Sequence, residues 1–140
     1  MAVTNTPIFP QTITNTVQTF KAADTSALKT IYTGGTNGSR VENGIITNTD
    51  TNPYTIQVWI TVATVPYLIA TFTLAASAGN TAIAASFNLI TGLSGQGLLN
   101  LDSNGNPYLY LASGSTLQLN STTTITALKT VSAFVQGEDF

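Results

Sequence analysis

The sequence predicts an all-β fold, an antiparallel β-sandwich that begins with an extended N-terminal arm. Short segments alternate apolar and polar residues with the two-residue period of a strand. Gly, Asn and Pro interrupt these segments roughly every ten residues, and no segment has the period of about 3.6 residues that marks an amphipathic helix. Threonine, which favours strands, occurs 26 times. Among antiparallel arrangements we expect a jelly roll, with a barrel as the alternative.

The first eleven residues, MAVTNTPIFPQ, contain two prolines and no alternation. We therefore expect residues 1–11 to form an extended arm outside the sheets. The apolar pair Ile8 and Phe9, flanked by Pro7 and Pro10, is a candidate contact with another protein. Residues 12–140 are expected to form a single sandwich domain, because a chain of 140 residues is long enough for one core without disulfides.

Four strands are predicted in the first half of the domain. TITNTVQTF at 12–20 places Ile13 and Val17 on one face, which suits a half-buried strand. A second strand at 28–33 ends at the glycine-rich turn 34–39, and a third covers 40–49. The segment YTIQVWITV at 54–62 alternates most cleanly, and Trp59 lies on its polar face, either half-covered by a loop or facing a partner. The apolar face of this strand consists of Tyr54, Ile56, Val58, Ile60 and Val62.

The second half predicts shorter strands at 67–74, 87–90, 116–119 and 129–136, and a hairpin within 98–111 that turns at 103–107. Residues 75–86 are alanine-rich and fit either a loop or one helical turn. The uncharged stretch 58–79 is long enough to cross a bilayer, but threonines recur in it and Pro66 interrupts it. We interpret this stretch as two buried strands around a turn, and we expect no membrane partner.

Charged residues make up 7% of the chain, against about 25% in an average soluble domain. None lies between Asp50 and Asp102. The net charge of -2 and four well-separated basic residues argue against nucleic acid as a partner. Lys and Glu are depleted from buried protein interfaces because they are costly to desolvate. A surface poor in both is therefore suited to being covered by another protein.

The chain contains no histidine and no cysteine, which excludes Ser-His-Asp and Cys-His catalysis and cysteine zinc sites. The six carboxylates form no recognisable motif, and we interpret them as solvated turn acids. Asp102, Asn104 and Asn106 weakly resemble a calcium loop, but the downstream glutamate is missing, so a type I′ turn at Asn104-Gly105 is the preferred reading. We predict no catalytic, cofactor-binding or metal-binding residue, and no enzyme.

Three segments taken in order resemble the small head proteins of tailed bacteriophages: NTPIFPQTITNT, IYTGGTNGSRVENGIITNT and NPYLYLASGSTLQLN. The chain is most similar to the decoration, or cementing, proteins of short-tailed phage heads. That resemblance implies a jelly roll on the capsid exterior, made in the bacterial cytoplasm, that bridges neighbouring major-capsid subunits and resists internal DNA pressure. It also implies self-association, for which we expect a homodimer, with a trimer as the alternative.

Two further functions stay open at this level. A tail, fibre or adhesin-like module would bind host glycans through Trp59, Tyr108 or Tyr110. An enzyme would have to depend on carboxylates, with Glu42 as the residue to test. For the preferred function, the predicted partner interface consists of Pro7, Ile8, Phe9, Pro10 and Trp59.

Overall fold

The computed structural model describes residues 9–140. These residues contain ten strands: β1 Thr12–Phe20, β2 Lys29–Thr33, β3 Ser39–Asn48, β4 Tyr54–Val62, β5 Val65–Leu74, β6 Phe87–Asn88, β7 Asn100–Leu101, β8 Pro107–Leu111, β9 Thr116–Ser121 and β10 Val131–Asp139. One short helix, α1, covers Leu89–Leu93. Two single turns of 3₁₀ helix lie at Ala22–Asp24 and Ser94–Gln96.

The strands form two antiparallel sheets that pack face to face. Sheet I has the order β1-β10-β3-β8-β7, with β6 beside β3, and sheet II has the order β2-β9-β4-β5. The main strands pair in a nested way, β1 with β10, β2 with β9, β3 with β8 and β4 with β5. The predicted all-β antiparallel sandwich is therefore confirmed.

The core lies between the sheets and consists of the alternate residues of each strand whose side chains face inward. Val41 and Ile46 of sheet I, and Val58 and Leu117 of sheet II, have no solvent exposure. Helix α1 closes the side of the sandwich next to β3 and β8, since Leu89, Ile90 and Leu93 are all buried. The alternation that predicted β4 is correct from Tyr54 to Val58, where every second side chain is buried.

The strand predicted at 87–90 is interrupted after two residues, and this part of the prediction is wrong. Asn88 caps helix α1, because its side chain accepts a hydrogen bond from the Thr91 backbone N–H at 2.9 Å. The hairpin predicted within 98–111 is confirmed, with Asn100 opposite Tyr108, although β7 is only two residues long. Its turn is not type I′, which needs positive φ at two residues, because Gly105 has φ 82° and Asn104 is outside that region.

Strand β1 turns its polar face toward the core, whereas its sequence predicts that the face with Ile13 and Val17 is buried. Ile13 and Val17 are exposed, whereas Phe20 is buried and Thr16 and Gln18 face the interior. The reason lies in the neighbouring edge of sheet II. The Thr16 hydroxyl donates to the carbonyl of Ile31, and Gln18 Nε2 donates to that of Thr30 at 3.1 Å. Polar side chains are needed on this face because they satisfy backbone groups of β2.

Candidate partner interface

The predicted arm contacts divide between described and undescribed residues. Pro7 and Ile8 lie outside the described residues. Phe9 is 69% exposed, and Pro10 is partly buried just before β1. The backbone N–H of Gln11 donates to the Asp139 carbonyl at 2.8 Å. The arm therefore joins the sandwich where β1 begins and β10 ends.

Trp59 lies on the outer face of sheet II, in a cross-strand row with Gln118 of β9 and Leu68 of β5. Its side chain is partly buried, and Nε1 donates to Asn120 Oδ1 at 2.9 Å. Asn120 in turn donates to the backbone carbonyl of Ser26 at 3.3 Å. Trp59 is in sheet II, whereas Phe9 and Pro10, the described candidates of the arm, precede the edge strand of sheet I.

Neutral side chains on the outer face of sheet II are hydrogen-bonded to one another. Thr61 donates to Gln118 Oε1, and Gln118 Nε2 donates to the hydroxyl of Thr30 at 3.2 Å. These residues belong to β4, β9 and β2, so the bonds run across three adjacent strands. Burying polar groups that already have partners is less costly than burying free ones. The outer face of sheet II is therefore polar, yet burying it against another protein costs little free energy.

The apex of the β4–β5 hairpin is exposed and apolar. Tyr67 is 62% exposed, and Val62, Val65 and Leu68 are each about half exposed. The prediction that the stretch 58–79 forms two buried strands around a turn is therefore wrong for β5, most of whose side chains are exposed. The sequence does contain an indication of this apex, since the uncharged segment VATVPYL joins two apolar runs at a turn. The composition does not tell which part of each strand extends past the sandwich.

The turn at this apex uses residues that are unusual for it. Val62 pairs with Val65, so the loop has two residues, and Ala63 and Thr64 have φ 47° and 70°. Two positive φ values match a type I′ turn, for which Asn-Gly is the common sequence. A β-branched threonine in the left-handed region is strained. Such strain is found where the structure over-determines it, often at functional positions.

One end of the sandwich holds both the hairpin apex and the junction of the arm with β1 at Gln11. In sheet II, Thr116 lies opposite Thr33 on one side and Thr61 on the other, so these strands end at one level. In sheet I, Asp139 lies opposite both Thr12 and Ser39. The Gly34 N–H to Ser115 carbonyl bond of 2.8 Å joins two loops there. We call this end, with the loops 34–38, 62–65 and 112–115, the neutral end.

The loops at the two ends of the sandwich differ in charge, although Arg40, Glu138 and Asp139 lie on the strand ends that reach the neutral end. None of the three loops at the neutral end contains Lys, Arg, Asp or Glu. At the opposite end, Phe20 pairs with Val131, so the loops that follow β1 and precede β10 lie together. These loops and the start of β2 carry Lys21, Asp24, Lys29 and Lys129. Asp24 and Lys29 form an ion pair of 3.1 Å.

Two carboxylates, the buried Asp50 and the partly buried Asp139, are surrounded by hydroxyl donors, which contradicts the prediction that all six are solvated turn acids. Asp50 is 1% exposed, and its Oδ2 accepts from the Tyr54 hydroxyl at 2.5 Å. The hydroxyls of Thr126 and Tyr54 hold the pKa of Asp50 well below its usual range, because they stabilise the ionised form. The signal that the sequence reasoning missed is the surrounding set of hydroxyl and amide side chains.

Asp139, the second of these carboxylates, is partly buried at the end of β10, and it joins the two sheets. It accepts hydrogen bonds from Ser39 at 2.5 Å, from Thr14 at 3.1 Å and from Tyr32 of sheet II at 3.1 Å. Ser39 above all, then Thr14 and Tyr32, lower the pKa of Asp139, although burial acts in the opposite direction. Burial and the charge of Asp139 raise the pKa of Tyr32. Because these three donors occupy it, the Asp139 carboxylate has a structural role.

The surface carboxylates are also occupied. On the outer face of sheet I, Arg40 pairs with Glu42 at 2.9 Å and Glu138 at 2.7 Å. Asp102 Oδ1 accepts the backbone N–H groups of Asn104 and Asn106, both at 2.8 Å, and these bonds lower its pKa. Asp102 therefore stabilises its own turn through its carboxylate. An open cleft of about 400 Å³ runs past Glu42, Asp102 and Asn88.

The aromatic residues considered for glycan binding are dispersed. Tyr110 is 46% exposed on β8 and lies near Phe140, with ring centroids 6.4 Å apart. Tyr108 is partly buried, with the Arg40 guanidinium 5.9 Å from its ring centre. Both are in sheet I, whereas Trp59 is in sheet II. The three residues do not form one aromatic platform.

Comparison with known protein families, with characterised proteins and with solved structures finds no match to this chain. Within residues 9–140, no helix is long and apolar enough to cross a membrane. In the same range, no three carboxylates come together as a metal site would require.

Proposed function

We propose that this chain is a virion structural protein that binds the outside of a bacteriophage capsid and cements neighbouring major-capsid subunits. It does so as a non-enzymatic binding module, made in the host cytoplasm and carried on the capsid exterior. The observation that carries the proposal is the neutral end, where an exposed apolar hairpin apex and the junction of the arm with β1 lie on the same side of the molecule.

The apex suits contact with another protein for two reasons. Its apolar side chains gain free energy when they leave water, at about 25 cal/mol per Å² of area removed. No charged residue in the adjoining loops has to lose its hydration. The charged loops at the opposite end remain in solvent, which keeps the bound protein soluble on the outside of a shell.

The strand order supports a jelly roll within the sandwich. Nested pairing of β1 with β10, β2 with β9, β3 with β8 and β4 with β5 is what results when a long antiparallel hairpin is rolled into two sheets. Jelly rolls of this kind occur in viral capsid proteins, so the architecture agrees with the proposed role. Fold alone does not establish function, and the argument for binding therefore rests on the neutral end.

The arm is tested by deleting residues 2–10. Because β1 begins at Thr12 and Gln11 makes the first backbone bond to β10, we expect the truncated protein to fold normally. It should fail to co-sediment with purified capsids of the same phage, while the full chain co-sediments. Binding by the truncated protein with unchanged affinity would refute the role of the arm.

The apex is tested by the double substitution Val65→Lys with Tyr67→Lys. Both side chains are exposed, so the melting temperature should change little, whereas capsid binding should weaken by about tenfold or more. The matched control is Leu101→Lys, which changes an exposed apolar residue on β7, outside the neutral end. Equal binding by the apex variant and the control would show that the apex does not contact the capsid.

Glycan binding by a tail or fibre module is the second candidate. The observation in its favour is the open cleft beside Glu42, Asn88 and Asp102, whose side chains offer the polar groups that hydroxyls bind. A glycan-array signal from the purified protein, lost on Thr91→Ala, which removes an exposed hydroxyl of the cleft, and accompanied by no affinity for capsids, would favour this function over cementing.

A further inference from the structure

Most free sheet edges in the described residues carry features that prevent pairing with another strand. Edge strand β5 has Pro66 and a bulge opposite Val58 and Trp59. Edge strand β2 has two carbonyls occupied by side chains of β1, and β7 is only two residues long. Prolines, bulges, capped groups and short length are the devices that natural proteins use to protect edges.

Strand β1 is the exception. It pairs with β10 over nine residues without a register shift, and it contains no proline, glycine or charged residue. Ile13 and Val17 are 66% and 69% exposed. A long, regular, uncharged edge with apolar side chains is a template for another strand. A protein that keeps such an edge has a use for it.

The backbone groups at this edge can be assigned from Thr19. Its N–H donates to the Gln18 side chain at 3.2 Å, and its C=O accepts from Lys29 Nζ at 2.6 Å, so both point away from β10. Backbone groups alternate along an antiparallel strand. The N–H and C=O groups of Ile13, Asn15 and Val17 therefore also point to the free edge, and Lys29 blocks its far end.

The sequence of this edge is nearly symmetric about Asn15. Thr14 and Thr16 flank it, followed by the β-branched pair of Ile13 and Val17. Antiparallel pairing with an identical strand, on a two-fold axis at Asn15, places each Ile13 opposite a Val17 and each Thr14 opposite a Thr16. β-Branched cross-strand pairs are favourable, and this register has no like charges opposite each other.

We propose that β1 pairs with β1 of a second copy about a two-fold axis at Asn15, so that sheet I continues through a homodimer. Three hydrogen-bonded pairs form, Ile13 with Val17 in both directions and Asn15 with itself, which supplies six backbone hydrogen bonds. This inference concerns the isolated protein and does not depend on binding to a capsid.

The outer face of sheet I supports the same register. Val17 lies opposite Phe134, and Phe134 lies opposite Ile45. In the dimer, Ile13 of the partner subunit extends this row to four apolar side chains, and the symmetry produces the row twice. The groove between β1 and β2, about 380 Å³ beside Val17 and Ile31, then lies at the junction of the two copies. The dimer covers side chains that are exposed in one copy.

The substitution Asn15→Cys tests the axis, because the chain has no cysteine of its own. A hydrogen-bonded antiparallel pair has Cα atoms about 5.5 Å apart, within the range of a disulfide. Mild oxidation should convert most of this variant to a covalent dimer. Thr71→Cys on β5 is the matched control and should stay monomeric under denaturing conditions. Equal cross-linking of the two variants would overturn the proposal.

Sedimentation equilibrium gives an independent test. The unmodified protein should be a dimer, and Ile13→Lys with Val17→Lys, which places like charges opposite each other, should weaken dimerisation about a hundredfold. Val65→Lys with Tyr67→Lys changes similarly exposed residues on β5, an edge strand of sheet II, and should leave the dimer intact. A monomer or trimer, or a dimer lost only in the β5 variant, would overturn the proposed interface. Thermal unfolding of each variant identifies any loss of fold.

Discussion

Two carboxylates of this sandwich accept hydrogen bonds from neutral donors, and one of them, Asp139, joins the two sheets. Asp139 of sheet I accepts from Tyr32 of sheet II, and Asp50 accepts from Tyr54 of sheet II. Hydroxyl groups, not lysine or arginine, provide these bonds, in keeping with a chain that has four basic residues. The bond from the buried Tyr32 to Asp139 helps to fix the alignment of the sheets, because an unpaired buried hydroxyl is costly.

Gly137 provides the space that Tyr32 needs to reach Asp139. A Cβ at this position would lie 2.6 Å from Tyr32 Oη and 2.8 Å from the Arg40 carbonyl. We expect Gly137→Ala to lower the free energy of unfolding by about 1–3 kcal/mol, because the new methyl group overpacks the site. Chemical denaturation measures the change. Gly95→Ala is the control, since no atom lies within 4 Å of its added methyl, and equal loss in both variants would contradict the account.

Acid should destabilise the protein through Asp50 and Asp139. Both have a lowered pKa in the folded state, so both bind protons more readily when unfolded. Their contribution is complete above the unfolded pKa of about 3.9 and is lost as pH falls below it. The denaturant concentration at the unfolding midpoint, measured from pH 6 down to pH 2, should decrease once the pH is below about 4. The double variant Asp50→Asn with Asp139→Asn should be less stable at pH 6 and show a flatter profile, and an unchanged slope would contradict this.

At the scale of elements, the alternating pattern predicts most strands correctly because the period depends only on which side chains face a neighbour. Strand β4 is the clearest case, with alternate residues buried from Tyr54 to Val58. The same pattern fails for β1, where Thr16 and Gln18 face inward. That reversal depends on which strand lies beneath, and a single sequence does not contain this information. The exposed hairpin apex was missed for the same reason.

The apex turn allows a direct test of strain at the element scale. Replacing Ala63-Thr64 by Asn-Gly should raise the free energy of unfolding by about 1–2 kcal/mol, because these residues accept positive φ at lower cost. Urea denaturation measures the difference. Asn-Gly placed at 122–123, where neither residue has positive φ, should give no gain. If the apex variant is no more stable than the parent protein, the turn is not strained.

At the scale of the whole molecule, the uncharged loops lie at one end of the sandwich and the charged loops lie at the other. The loops of the neutral end carry no charged side chain, and the opposite end carries Lys21, Asp24, Lys29 and Lys129. The sequence shows that residues 51–101 are uncharged, but the clustering of the three loops depends on the sheet registers. This arrangement orients the molecule in the proposed function, with the neutral end on the capsid and the charged end in solvent.

A cryo-electron reconstruction of capsids saturated with the purified protein tests this orientation most directly. The account predicts density for the sandwich on the outer surface of the shell, with the hairpin apex at 62–68 and the residues before β1 against the junction of neighbouring capsid subunits. Density bound through the charged end, or a shell that remains bare at saturating protein, would contradict the central claim.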